Sequence, residues 1–108
     1  MKVILCFQTF ELGVLQFQNG LYIYSSNFAN EKLATKTACL DLTEYDLFNS
    51  VKKTSNQLFQ IFAQMVEDVK KRKDLIKMLK IEQTDTDMMV LFKLGKFKQD
   101  KSKFYVIS

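Results

Sequence analysis

The side chains able to do chemistry in this chain are few in kind, and their spacing argues against catalysis. There is no His, so the commonest general base is missing. Gly95-Lys96 invites comparison with a phosphate-binding loop. That loop needs an upstream Gly and a Ser or Thr after the Lys, and here Val90 and Phe97 hold those places. Glu82, Asp85 and Asp87, interleaved with Thr84 and Thr86, suggest a calcium loop. Counted from Glu82, the positions that need Gly and Glu are Asp87 and Lys93, so helix capping is the better reading. Cys6 and Cys39 stand far apart with neither CxxC spacing nor a His beside them, which gives no zinc set. Buried thiols are expected, with a single disulfide left open. No nucleophile–base pair and no paired carboxylates emerge. The expectation is a protein without metal or cofactor that is not an enzyme.

Charge offers a different kind of chemistry. Sixteen Lys and Arg against twelve Asp and Glu leave a net charge of +4, which suits an acidic partner, nucleic acid or a membrane surface. Arg72 is the only Arg, whereas base and phosphate forks favour Arg. Direct nucleic-acid binding is therefore not the first expectation, though a small basic nucleic-acid-binding protein is kept as an alternative. Lys70-Lys71-Arg72-Lys73 is the densest basic run. It reads first as a solvated helix start; because cations there oppose the macrodipole, a contact with an acidic surface or phosphate stands as the second reading.

The elements that must position these groups follow from periodicity. A chain of 108 residues with 47% hydrophobic and 26% charged side chains has room for one core, and residues 1–108 are expected to form a single domain. Val3 to Phe7, Leu12 to Phe17 and Leu21 to Tyr24 read as strands. Asn19-Gly20 between the last two is a hairpin turn, making the first quarter an antiparallel meander. Ser25-Ser26-Asn27 closes it and caps a short helical turn with Phe28 and Leu33. Leu58, Ile61, Phe62, Met65, Val66 and Val69 recur at helical spacing, and Leu75, Ile76, Leu79 and Ile81 continue the pattern. No Gly or Pro falls between Val51 and Ile81. That segment is one long helix or, better for a compact domain, two broken near Glu67-Asp68, with Ser55 or Asn56 capping the first and Asp68 the second.

Thr84 or Asp85 caps a shorter helix bearing Met88, Met89, Leu91, Phe92 and Leu94, and Gly95 ends it. Met65, Met88 and Met89 are expected in the core rather than on an adaptable surface. Phe104 to Ile107 reads as a closing strand. The fold class is therefore α+β: a small antiparallel sheet, N-terminal meander plus C-terminal strand, with about three helices packed on it. No window approaches the roughly 18 apolar residues of a membrane span, and Met1 to Phe7 is too short for a secretory core. A cytoplasmic protein without membrane contact is expected.

The order of these pieces is familiar. Gly13-Val14-Leu15, Gly20-Leu21-Tyr22-Ile23-Tyr24 and Phe28 resemble the opening of the HipA toxin-kinase family, a G-x-L strand followed by a G-x-x-x-F-x-Y-like strand and an aromatic. Cys39-Leu40-Asp41-Leu42 is similar to that family's S-L-P-L segment. Leu58 to Asp68 is similar to F-F-x-N-L-L-P-E-G, and Asp87 to Gly95 resembles its D-x-F-x-L-L-x-x-I-G helix. Departures are Asp41 and Val66 for Pro, Asp68 for Gly, and Val69 where the family commonly has Trp. A longer stretch, Thr43 to Ser55, also separates the second and third motifs.

In that family this region is an N-terminal subdomain, with the ATP-binding and catalytic parts downstream. A free-standing version resembles the small antitoxin subunits of three-gene HipBST systems. The resemblance implies a non-catalytic antitoxin that binds a HipT-like Ser/Thr kinase toxin in trans and neutralises it, with a HipB-like DNA-binding subunit as a further partner. It places the contact at Met65, Val66, Glu67, Asp68, Val69, Lys70, Lys71 and Lys73, the segment at the family's inhibitory aromatic. With Val69 there, it implies docking rather than an aromatic plug. A structural subunit that binds without inhibiting is the remaining alternative.

Overall fold

In a computed structural model, which describes residues 1–48 and 50–108, the chain is α+β: a five-stranded antiparallel sheet with four helices packed on it. The N-terminal meander is β1 (Lys2–Phe7), β2 (Phe10–Gln18) and β3 (Leu21–Ser26). Asn19 and Gly20 turn β2 into β3 with φ of 53° and 78°, values open to Asn and Gly but strained for most residues. The C-terminal strand β5 (Phe104–Ile107) lies beside β1. Alternation sends Val3, Leu5, Leu15, Tyr24 and Val106 to the helix-covered face. Ile4, Val14 and Ile23 fall on the opposite face. A bulge between Leu5 and Cys6 interrupts this alternation, and Leu12 is fully buried there.

Tertiary pairing overrules the local pattern in the middle of the chain. Residues given no strand by the sequence, at and just before the expected Ser55 or Asn56 cap, form a strand, β4 (Lys52–Ser55), on β3. Its sequence, Lys-Lys-Thr-Ser, has no apolar alternation and is drawn into the sheet by pairing with β3. The expected short turn after Asn27 is a full helix, α1 (Phe28–Ala38), and the Asn27 side chain accepts from Asn30 N–H at 3.1 Å. Cys39 ends α1 and is exposed, contrary to the expectation of two buried thiols. Cys6 is buried, and burial together with the nearby Glu11 pushes its thiol up to about 11.

Helix α2 (Gln60–Lys70) starts from Phe59 with no side-chain cap, so neither Ser55 nor Asn56 serves. The break falls at Lys71-Arg72, not at Glu67-Asp68, and α3 (Lys73–Met78) follows, capped by neither Asp68 nor any other side chain. The basic run therefore straddles a junction. Lys70 and Lys71 lie at the C-terminal end of α2, where the macrodipole favours cations, and the penalty expected of a helix start falls only on Arg72 and Lys73 at the beginning of α3. Thr86, not Thr84 or Asp85, caps α4 (Asp87–Leu94), accepting from Met89 N–H at 3.2 Å. Asp85 instead takes Lys93 Nζ at 2.6 Å and Glu82 N–H at 3.1 Å, bonds that hold its carboxyl below the usual range. Gly95 ends α4 in ordinary right-handed geometry. Gly is suited there because a Cβ would lie 2.8 Å from Ser108 N and 2.9 Å from Ile107 C.

The core sits between the sheet and α2, α4 and the 40–48 connection. Phe62 is fully buried, its ring 6.1 Å from Tyr24. Phe48 meets Tyr24 edge-on at 6.1 Å and stacks on Phe104 at 6.2 Å. Tyr45 meets Phe104 edge-on at 5.3 Å. These contacts fasten the long connection to the sheet. Met88 is buried, as expected, whereas Met65 and Met89 are half-buried. Among the described residues, no helix is long and apolar enough to cross a membrane.

Candidate functional site

Helix α2 turns one stripe inward and leaves a second flank beside a groove. Phe62, Val66 and Val69 form the inward stripe. On the other flank, Gln60 and Ile61 face the 44–47 connection and β4 across a cavity of about 690 Å³, with Tyr45, Leu47, Lys53 and Phe59 also lining it. It adjoins a second hollow of about 310 Å³ between the same helix and the sheet, lined by Met65, Gln64, Asp68, Lys103, Phe104 and the shared Tyr45. The floor is apolar and the rim charged. Asp46 and Lys53 pair at 3.3 Å, and Gln64 Nε2 donates to Asp68 at 3.0 Å. Half-buried Tyr, Phe, Met and Ile enclosed by polar groups have the composition of a protein-binding patch.

The segment expected to make the contact divides between these surroundings. Met65 is half-buried and lines the groove, and Asp68 lines it from an exposed position. Val66 and Val69 are 4% and 2% exposed, so they offer a partner no surface while the fold is intact. That corrects their assignment as contact residues: the helical period that marks them as apolar is the period of the core stripe. Glu67, Lys70, Lys71 and Lys73 are exposed outside the groove lining. Lys70 pairs with Asp87 at 3.6 Å, and Arg72 grips Asp74 through Nε and Nη2 at 3.3 and 2.6 Å. Tyr45, Lys53, Phe59, Lys103 and Phe104 were not expected in the site. They come from separate stretches of chain that only the packed sheet brings together, and no local pattern marks them.

A second place stands out for its chemistry. Glu31 of α1 is 5% exposed, and neither carboxylate oxygen has a hydrogen-bond partner. Tyr24 Oη and Ser26 Oγ are likewise buried without one. Burial pushes Glu31 above the usual carboxylate range, with the nearby Ser26 hydroxyl opposing part of that shift. Burial and the Glu31 charge together push the Tyr24 phenol up. A carboxyl raised in the folded state holds its proton longer there. The stability it contributes is therefore full below the unfolded value and is lost as pH rises through the folded one. Relative to Glu31→Gln, the urea midpoint of the wild type should accordingly fall as pH rises from about 4. Identical profiles for the two proteins would show that Glu31 titrates as an ordinary surface carboxyl.

No family model matches the chain, and no curated protein or solved structure is found similar to it. Among the described residues there is no group of three His, Cys, Asp or Glu placed to hold a metal ion.

Proposed function

We propose that this chain is a non-catalytic antitoxin of the HipS type, which binds a separate HipT-type Ser/Thr kinase in trans and neutralises it in the cytoplasm. A HipB-like DNA-binding subunit is the natural third member of the complex. The observation that carries the reading is the groove beside α2, with its half-buried apolar floor and charged rim, which takes in Met65 and Asp68 of the Met65-to-Lys73 segment. The order of motifs that resembles a HipA N-terminal subdomain supplies the identity of the partner.

Docking through this groove restrains the kinase without an aromatic plug, because Val69 is committed to the core. Ile61 and Met65 present accessible edges to a partner, and desolvating them is the main gain on binding. Co-expression with a HipT-type kinase should rescue growth, and the two proteins should co-purify. Ile61→Asp with Met65→Asp places charge in that contact. The variant is expected to stay folded, lose the complex and lose rescue. A folded double variant that still binds and rescues like wild type would move the contact elsewhere, and complex formation without rescue would identify a structural subunit. The purified chain alone should neither hydrolyse ATP nor transfer phosphate, and turnover that persists after removal of trace kinases would overturn the non-catalytic reading.

A further inference from the structure

The two edges of the sheet are finished differently. Ser26 N–H donates to Val51 O at 3.0 Å, and from there the antiparallel pattern alternates along β3 and β4. Lys53 and Ser55 bond back to β3, whereas Lys52 and Thr54 turn their backbone N–H and C=O groups away from it. At the opposite edge the outward groups of Val106 in β5 are occupied. Val106 N–H donates to Gln99 Oε1 at 3.3 Å, and Gln99 Nε2 donates to Val106 O at 2.7 Å. Ser108 N–H donates to Gly95 O at 3.3 Å. Among the described residues, nothing bonds to the outward groups of Lys52 and Thr54, both residues are exposed, and no strand lies beyond β4. The same strand lines the 690 Å³ cavity through Lys53, Thr54 and Ser55.

We propose that the β4 edge is the docking site for an extended segment of a partner protein. The segment adds as a further strand, with a carboxylate opposite Lys52, an apolar or aromatic side chain at the next position, and a β-branched residue opposite Thr54. Extended polypeptide is the ligand that offers donors and acceptors at the strand repeat. Side chains opposite Lys52 and Thr54 stand on the outer face of the sheet with them, where an acid meets an exposed cation. The intervening side chain turns inward, into the cavity against Tyr45, Phe59 and Ile61. Lys53 is already engaged by Asp46, so Lys52 is the selecting charge. Lysine at an edge discourages indiscriminate strand pairing, and a matching acid relieves that barrier.

A second copy of this chain fits less well. The antiparallel register that uses both Lys52 and Thr54 sets Lys53 across from its own counterpart, at the close spacing of a non-hydrogen-bonded pair. That the partner is a kinase rests on the function proposed above; the edge chemistry does not.

Selection of random peptides displayed on phage against the full chain tests the edge, followed by titration of the enriched peptides into wild type, Thr54→Pro and Lys52→Glu. Proline at residue 54 removes an outward N–H that β3 does not use. The expected winners carry Asp or Glu two residues from Val, Ile or Thr, with an apolar residue between. Thr54→Pro should weaken them by at least about tenfold, Lys52→Glu should disfavour the acidic ones, and the Lys52 and Thr54 amide resonances should move on binding. Should Thr54→Pro unfold, peptides N-methylated at the pairing position replace it and should bind wild type as weakly. Failure to enrich any peptide, equal affinity for wild type and folded Thr54→Pro, or a dimer sealed through β4 would overturn the proposal. The same variants are then tested with a HipT-type kinase. Peptide capture without kinase capture rejects the kinase and leaves the edge standing, whereas kinase capture indifferent to Thr54→Pro rejects the edge as its dock.

Discussion

Phe62→Ala is expected to remove a large share of the folding stability. The ring is fully buried at the centre of the inward stripe of α2, 6.1 Å from the Tyr24 ring. Tyr24 in turn contacts Phe48, which stacks on Phe104. Removing the ring forfeits its transfer from water and leaves a cavity that these aromatics, held at both ends by the sheet, cannot close. Such a change costs about 3–5 kcal/mol, against a total of about 5–15 kcal/mol for a small domain. Urea unfolding followed by circular dichroism measures the loss. A midpoint within error of wild type would mean that α2 presents this side chain to solvent or to a partner, and the packing described here would be wrong.

Val69→Asp should have an effect at least as large, acting on folding rather than on binding. Val69 is 2% exposed near the C-terminal end of α2, so a carboxylate placed there is taken out of water into an apolar core. An unpaired buried charge belongs to the small class of substitutions that cost more than about 4 kcal/mol. The adjacent Asp68→Ala, on the exposed side of the same turn, is expected to change stability by less than about 0.5 kcal/mol. Thermal melts of the pair separate the two faces. If Val69→Asp melted like wild type yet lost its partner, the residue would belong to the contact surface after all.

That contrast shows how far the local pattern could be trusted. Leu58 to Val69 announce a helix because apolar residues return at three- and four-residue steps, and the helix is there. The same steps do not say whether the stripe meets a core or a partner, since both demand apolar side chains in a row. The resemblance pointed to Val66 and Val69 as contact residues. Burial against β-strands remote in sequence assigned them to the core, and left Met65 and Asp68 on the groove.

The sheet divides in a similar way. Its meander was legible because strands rich in Val, Ile, Leu and Tyr flank Asn19-Gly20, and because a two-residue turn dictates which residues pair. β4 was not legible. Lys-Lys-Thr-Ser lacks both alternation and hydrophobicity, and the uninterrupted stretch from Val51 to Ile81 allows a helix. The exposed backbone edge of β3, with Tyr22 and Tyr24 bonded to Ser55 and Lys53, is what makes those residues a strand. Likewise the cap of α1 at Asn27 follows from chemistry available locally, while Glu31, a surface residue by type, is buried by the way α1 lies across β2.

By itself, then, the sequence determined what depends on neighbours along the chain: the α+β class, the hairpin and the apolar face of α2. Only the tertiary structure decided which helical stripe is core, where the fifth strand lies, and that Tyr45, Phe59, Met65 and Phe104 share one groove beside an open sheet edge. Those outcomes rest on contacts between residues far apart in sequence, whose net stabilisation exists only after the chain has closed the intervening loops.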